Sequence, residues 1–425
     1  MDKRFFNFFN LTEDQAITLL DTPQDQIKEN DSRYIAASHL VNFPTERAIN
    51  ALMRAVQNNE PSLDNRIVRR KSIETLGRLE AKQALSVIHS CLNDDDCYTV
   101  ENAVWAIGEI GTTDDAILED IAQLLKKPGQ THRVIIHTLT KLNYQPALEQ
   151  IRPFVDNPDP PTASAAIASV CRFTKDYSQM EKVVALLRHP NVLARRLSIQ
   201  DLIDSRYYDA IANIARCPVS LVFRLRGIRM LAEAGIPTAE ISFEMIQPHL
   251  EQTLRDHPDD LDLVHSYEKT PDLTILLQTL YETDFGRCYL ASKTILDHYS
   301  DIAPEALLAT YSQEAKSDYG AHYHVIKLLG WLKYAPAYDL LLEALHNRQP
   351  QFQKSRSAAA IALGELGVKK AIPVLQASLY EQNWVLKYAA LIALEKLGSE
   401  GGHEILINDP DWLIQRICES PHPQR

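Results

Sequence analysis

The feature that most constrains the fold is a pattern that returns at intervals of about 30 residues along the chain. Three segments show it plainly: "VRRKSIETLGRLEAKQALSVI", "SRSAAAIALGELGVKKAIPVL" and "LKYAALIALEKLGSEGGHEIL". Each opens on a basic residue, continues with small or apolar residues at helical contact positions, and closes near a glycine before a second short helix. "TVENAVWAIGEIGTTDDAILEDI" keeps the frame without the basic residue, and fainter copies run through "SRYIAASHLVNFPTERAINAL", "ARRLSIQDLIDSRYYDAIANI" and "FRLRGIRMLAEAG". Apolar residues recur at i, i+3 and i+4 and do not alternate, so the elements are helices and not strands. Prolines fall between the pairs, in "NPDPPTAS", "RHPN", "AGIPTAE" and "RQPQ", where they break helices.

A single helix pair cannot bury its apolar stripe, so consecutive pairs must stack into one continuous core. The expected fold is all-α, a HEAT-like or armadillo-type α-solenoid: a right-handed superhelix of about a dozen helix pairs. Residues 1–30 read as an N-terminal helical cap and 31–425 as the repeat array. The stretch 240–275 fits the repeat worst and marks where the array would divide into two stacked halves.

Aligning the repeats puts a cation at one recurring place: Arg33, Arg69, Arg195, Arg224, Arg356 and Lys387, with His132 and His322 at the same register. Two readings fit. One is a ladder of charges between neighbouring turns; the other is a set of cations along the concave groove, where repeat proteins bind. The net charge of −12 speaks against nucleic acid as the partner, because phosphate binding needs a basic footprint. Cys91, Cys97, Cys171, Cys217, Cys288 and Cys418 follow no metal or disulfide spacing and read as reduced thiols. No run approaches the length of a signal peptide core or a membrane span. The expectation is a cytoplasmic protein with no membrane partner and no metal.

No glycine-rich phosphate loop, HExxH, nucleophile elbow or paired CxxC is present. Certain stretches are nonetheless chemically loaded. "DYGAHYHVIKLLGW", residues 318–331, crowds Asp318, Tyr319, His322, Tyr323 and His324 into one helix start and ends on Trp331. Trp105 stands where the preceding repeat has Glu74; "VFRLRGIR" carries Arg224, Arg226 and Arg229; "QDLIDSRYYD" carries Asp201 and Asp204; "FGRCYLASK" carries Arg287, Cys288 and Tyr289. Each set also has an ordinary reading, as core aromatics, caps or salt-bridged faces.

The opening "MDKRFFNFFNLTEDQAI", with "SLDNRIVRRKSIETLGRL", "YTVENAVWAIGEIG", "PVSLVFRLRGIR", "LYETDFGRCYLASKTILDHY" and "QPQFQKSRSAAAIALGELG", resembles the phycobilin lyases of the E/F clan. Among them it is similar to the long single-chain type acting on phycoerythrin, over nearly the whole chain. The resemblance implies an enzyme that binds phycoerythrobilin, an open-chain tetrapyrrole, as substrate, with no prosthetic group. It implies delivery through a thioether to a cysteine of the phycoerythrin α subunit, with an accessory lyase or chaperone as a further partner. Alternatives are a lyase-isomerase yielding phycourobilin and a non-catalytic HEAT-repeat adaptor. A bilin has two propionates, which call for Arg or Lys, four pyrrole nitrogens, which favour a carboxylate when protonated, and flat rings, which favour Trp and Tyr. On that chemistry Asp318, Tyr319, His322 and His324 are the candidate catalytic residues, able to move protons near neutral pH. Trp105, Asp201, Asp204, Arg224, Arg226 and Trp331 are the candidate bilin-binding residues.

Overall fold

The computed structural model describes residues 11–27 and 31–419, which form α-helices and short 3-10 turns with no strand among them. Local chemistry sets the helix ends. Thr12, Ser32, Thr45, Ser62, Asp96 and Asp159 each stop a backbone from fraying by accepting a hydrogen bond from an amide of the first turn. The paired glycines of the repeats divide their work. In "ALGELG", Gly367 ends the turn at φ +69°, a left-handed conformation that favours glycine. Gly364 lies inside the helix Gln353–Glu365, where a Cβ would stand 2.8 Å from the Ala393 Cα of the next repeat. Its missing side chain lets the two backbones close on each other.

The chain divides into two compact units, Met1–Met180 and Glu181–Arg425. The division falls earlier than the irregular stretch 240–275, which lies inside the second unit. Of the expected cap over 1–30, residues 13–21 form a helix, while 1–10 and 28–30 lie outside the described residues. In the first unit, the helices Arg33–His39, Leu63–Arg78, Cys97–Ile110, His132–Lys141 and Pro160–Thr174 stack in sequence, each backed by a partner helix. This is the HEAT arrangement, a core shared between neighbours.

The recurring cation faces into these stacks and not onto an open groove. Arg69 donates its Nε to Val56 O (2.9 Å) and pairs with Asp94 (2.9 Å). Arg356 donates its Nε to Leu345 O (2.8 Å) and pairs with Glu381 (2.8 Å). Arg33 donates to Leu20 O, and Lys387 holds Asp409. Each of these three arginines closes the carbonyl end of the preceding helix, whose last carbonyls lack helical donors, while Lys387 keeps the acid alone. Each arginine then reaches an acid in the following repeat. The charge-ladder reading is the one the structure bears out. His132 keeps the carbonyl contact alone, through Nε2 to Lys127 O at 3.2 Å.

The second unit departs from a plain solenoid, in which repeats touch only their neighbours. Arg229, in the helix Leu221–Gly235, pairs with Glu233 and with Asp411 (2.9 Å), 182 positions away in sequence. Its guanidinium lies over the rings of Trp384 and Trp412, 5.0 and 5.9 Å from their centroids. Tyr388 donates to Glu251 at 3.1 Å. The C-terminal repeats thus fold back onto 221–255, and the irregular stretch becomes the inner wall. There the helix Phe243–Arg255 ends on Asp256 at φ +52°, and Asp262 bridges Arg188 and Arg216.

Candidate functional site

Asp256 is the centre of the second unit's interior. Its backbone turns left-handed at the helix end, which aims the carboxylate inward with no exposure at all. A lone buried carboxylate is prohibitively costly, so it must be paired and hydrogen-bonded. Arg224 pairs with Oδ1, and Tyr289 (2.8 Å) and Tyr323 donate their hydroxyls to Oδ2. Arg224 also donates to Val219 O and Ala215 O, both at 3.1 Å. Burial, reinforced by the Asp256 charge, holds both phenols far above their ordinary range, so they remain donors. Lys327 donates to Arg255 O, and burial pushes its ammonium down to about 8. Arg224, expected to grip a ligand, is instead fully engaged in the core, because the left-handed Asp256 requires a cation there.

Beside this core runs the helix Ala321–Trp331, buried from its first residue and preceded by the exposed Tyr319. Asp318 caps it, its Oδ1 accepting from Gly320 N (2.8 Å) and Ala321 N (2.7 Å). Tyr319 is 49 % exposed. The inner face of its ring holds the Lys354 ammonium, 3.3 Å from the centroid, and Phe285 (4.2 Å) and Tyr323 (5.2 Å) complete an aromatic cage. Lys354 is only 6 % exposed, and its Nζ reaches no hydrogen-bond acceptor. Burial pushes it down to about 7, so it exchanges a proton near neutral pH.

His322 and His324, the other two expected catalytic residues, are both buried and point away from each other. Two positions apart on a helix means nearly opposite sides. His322 stacks on Phe352 at 4.3 Å with its Nε2 3.3 Å from the Tyr311 hydroxyl. It keeps the ladder register without the ladder partners. His324 lies among Phe285 (4.7 Å), Tyr289 and Tyr323. Burial pushes His322 down to about 4 and His324 well below its usual value. Both are neutral at pH 7 and neither reaches an opening.

Of the expected binding residues, Arg226 and Asp204 share a surface chain: Arg226 Nη1 donates to Gln200 Oε1 (2.6 Å), and Gln200 Nε2 donates to Asp204 Oδ1 (2.7 Å). Asp201 is buried, 1 % exposed. Trp105 belongs to the first unit, its ring set against Gly77. Trp331, at the far end of the helix that starts beside Tyr319, walls a pocket of about 210 Å³ with Arg255, His257 and Glu365. The His257 ring meets it in a T-shaped contact at 5.2 Å, and Lys327 Nζ lies 5.0 Å from its ring centroid. Cys288 is fully buried, and burial pushes its thiol up.

Comparison with known proteins gives the family. Residues 62–128 match a family described as HEAT repeats, and residues 32–58 and 355–381 match the PBS lyase HEAT-like repeat. The chain is 64% identical to "Uncharacterized phycocyanin operon protein Y" of Pseudanabaena tenuis, over 98% of this chain and 99% of the relative. It is 31% identical to "Bilin biosynthesis protein CpeY" of Synechococcus sp. (strain WH8020), over 92% of this chain and 97% of the relative. The chain belongs to the HEAT-repeat bilin lyases of the E/F clan.

Among solved structures, the complex of CpcE and CpcF of phycocyanin lyase from Nostoc sp. PCC7120 matches with a TM-score of 0.50 at 22% identity. That match covers 57% of this chain and 94% of that one, and shows the shared fold. No described helix of this bilin lyase family member is long and apolar enough to cross a membrane. The residue that sequence reading missed is Lys354. It looks like one more basic residue beside the ladder Arg356, and the rings that bury its ammonium come from other repeats.

Proposed function

We propose that the chain attaches phycoerythrobilin through a thioether to a cysteine of the phycoerythrin α subunit. The observation that carries this reading is the full-length likeness to the bilin biosynthesis protein CpeY. The chemistry is an addition without net redox change. The acceptor sulfur bonds to the ethylidene carbon of ring A, the double bond's electrons move into the ring, and the ring takes a proton as the thiol loses its own.

Such a reaction needs a proton carrier at the bilin, orientation of the two partners and exclusion of water. Asp318 suits the first task. Its Oδ1 is fixed by two amides, which leaves Oδ2 outside the cap to face the cationic pyrrole nitrogens. Tyr319 beside it offers a half-exposed ring for stacking and a phenol for hydrogen bonding. Arg226 and Asp204 extend the polar surface, and Trp331 with His257 forms an aromatic wall at the other end of the same helix. His322 and His324 then act by packing the helix that presents Asp318 and Tyr319, and carry no proton themselves.

The test is transfer with purified components. The chain, phycoerythrobilin and the apo α subunit are incubated, and covalently bound bilin is read as zinc-enhanced fluorescence of the denatured subunit. A bilin-bearing α subunit that keeps the phycoerythrobilin spectrum is expected. A phycourobilin spectrum turns the reading to the lyase-isomerase, and no adduct above the enzyme-free control refutes it.

A further inference from the structure

Three hydrogen-bond donors around Tyr319 are buried and unused. Lys354 Nζ, Arg196 Nε and Ser220 Oγ each lie out of solvent with no hydrogen-bond partner. They come from three separate helix starts. Lys354 opens Gln353–Glu365, Arg196 lies in the first turns of Val192–Ser205, and Ser220 precedes Leu221–Gly235. The Tyr319 phenol brings them together: it lies beside the Ser220 hydroxyl and the Arg196 guanidinium, while its ring covers Lys354. Arg196 is held in place by Nη2 to Thr283 O (3.1 Å) and by the Phe223 ring at 5.1 Å.

The other buried cations of this unit have an acid or, for Lys327, the Arg255 carbonyl as acceptor. Arg195 has Asp284, Arg224 has Asp256, Arg356 has Glu381 and Lys387 has Asp409. Lys354 has none within ion-pair distance: Asp256 is held by Arg224, and Asp318, whose Oδ1 takes two backbone amides, makes no ion pair with it. A cage of ring faces is a partial substitute, well short of what a buried ammonium gives up on leaving water. A site with two cations, spare donors and no ion-paired carboxylate suits an anion that arrives from outside. Its walls suit a flat carboxylate, which accepts two hydrogen bonds from the Arg196 side and one from the Lys354 side.

We infer that Lys354, Arg196 and Ser220, closed over by Tyr319, form a subsite for one propionate carboxylate of an open-chain tetrapyrrole. The inference rests on the bilin reading above and adds the place where the substrate is anchored. The anchored propionate puts the adjoining pyrrole ring on the exposed face of Tyr319 and next to Asp318. The same subsite keeps the bilin's charged end fixed while the reacting end reaches the acceptor.

The test compares phycoerythrobilin with its dipropionate dimethyl ester, titrated into the full-length chain by bilin absorbance and tryptophan quenching. The variants are Lys354→Met and, at the rim of the site, Arg196→Gln. The parent is expected to bind the acid about tenfold to a hundredfold tighter than the ester, the range of a charge-assisted hydrogen bond. Each variant is expected to lose about tenfold in affinity for the acid and none for the ester. The subsite is overturned if both variants keep the parental preference for the acid, or if acid and ester affinities fall together in Arg196→Gln. A parent chain that binds both forms equally overturns the subsite alone. A parent that binds neither overturns the bilin reading with it.

Discussion

Arg224→Met isolates the interaction on which the second unit's interior depends. In the parent, Arg224 is 1 % exposed and donates to Val219 O, Ala215 O and Asp256. The methionine fills similar volume but leaves the Asp256 carboxylate buried with only the Tyr289 and Tyr323 hydroxyls. Breaking a buried ion pair on one side costs about 3–5 kcal/mol, and the two stranded carbonyls add to it. For a unit of this size each kcal/mol moves the midpoint by about 2–4 °C, so Tm should fall by about 6–20 °C. The readout is thermal unfolding followed by tryptophan fluorescence, since Trp331, Trp384 and Trp412 all lie in this unit. Adding Asp256→Asn should recover more than half of the loss. The amide carries no charge, still accepts from both tyrosines and tolerates the left-handed backbone. A drop of less than about 2 °C in the single variant, or a double variant no better than the single, would refute the reasoning.

Other outcomes follow from the same structure. Lys354, pushed down by burial from 10.5 to about 7, is released from its proton in the folded state before it is in the unfolded chain. That penalty is complete below pH 7, shrinks as pH rises from 7 to 10.5 and is absent above. Lys354→Met should therefore be the more stable protein at pH 6, with the gap in urea midpoint closing by pH 11. For His322, pushed down by burial to about 4, the unfolded chain takes the proton first, so stability is lost as pH falls from 6.5 toward 4. His322→Phe should lose less over that window and transfer bilin at the parental rate. Gly364→Ala should destabilise by about 1–3 kcal/mol, as overpacking against Ala393 outweighs the gain in helix propensity; calorimetry reads the result. Asp318→Asn should slow bilin transfer by about 10²-fold or more and leave Tm unchanged within about 2 °C.

Much of the fold was legible because repeat periodicity is local: a helix pair announces itself within its own 30 or so residues. The ladder was legible as a register, and its direction was not. Whether Arg69 or Arg356 points inward depends on carbonyls of the preceding helix and an acid of the next repeat. The closing of the second unit was invisible for a different reason. It rests on single residues, Arg229 with Asp411 and Tyr388 with Glu251, separated by 182 and 137 positions with no pattern between them. The candidate site shows the same division. Asp318 and Tyr319 stood out because their types broke the repeat. Lys354 did not, because a lysine at a helix start is unremarkable until Phe285, Tyr319 and Tyr323 bury it. Arg224 broke no pattern either, and only the left-handed turn at Asp256 explains why it serves the core.

The most direct measurement is co-expression of this chain with a phycoerythrobilin-producing pathway and the phycoerythrin α subunit, with each α cysteine replaced in turn by alanine. Bilin attachment through this chain predicts an α subunit carrying covalent phycoerythrobilin, dependent on the chain and lost with one cysteine. An α subunit that stays colourless, or is coloured equally without the chain, would contradict it.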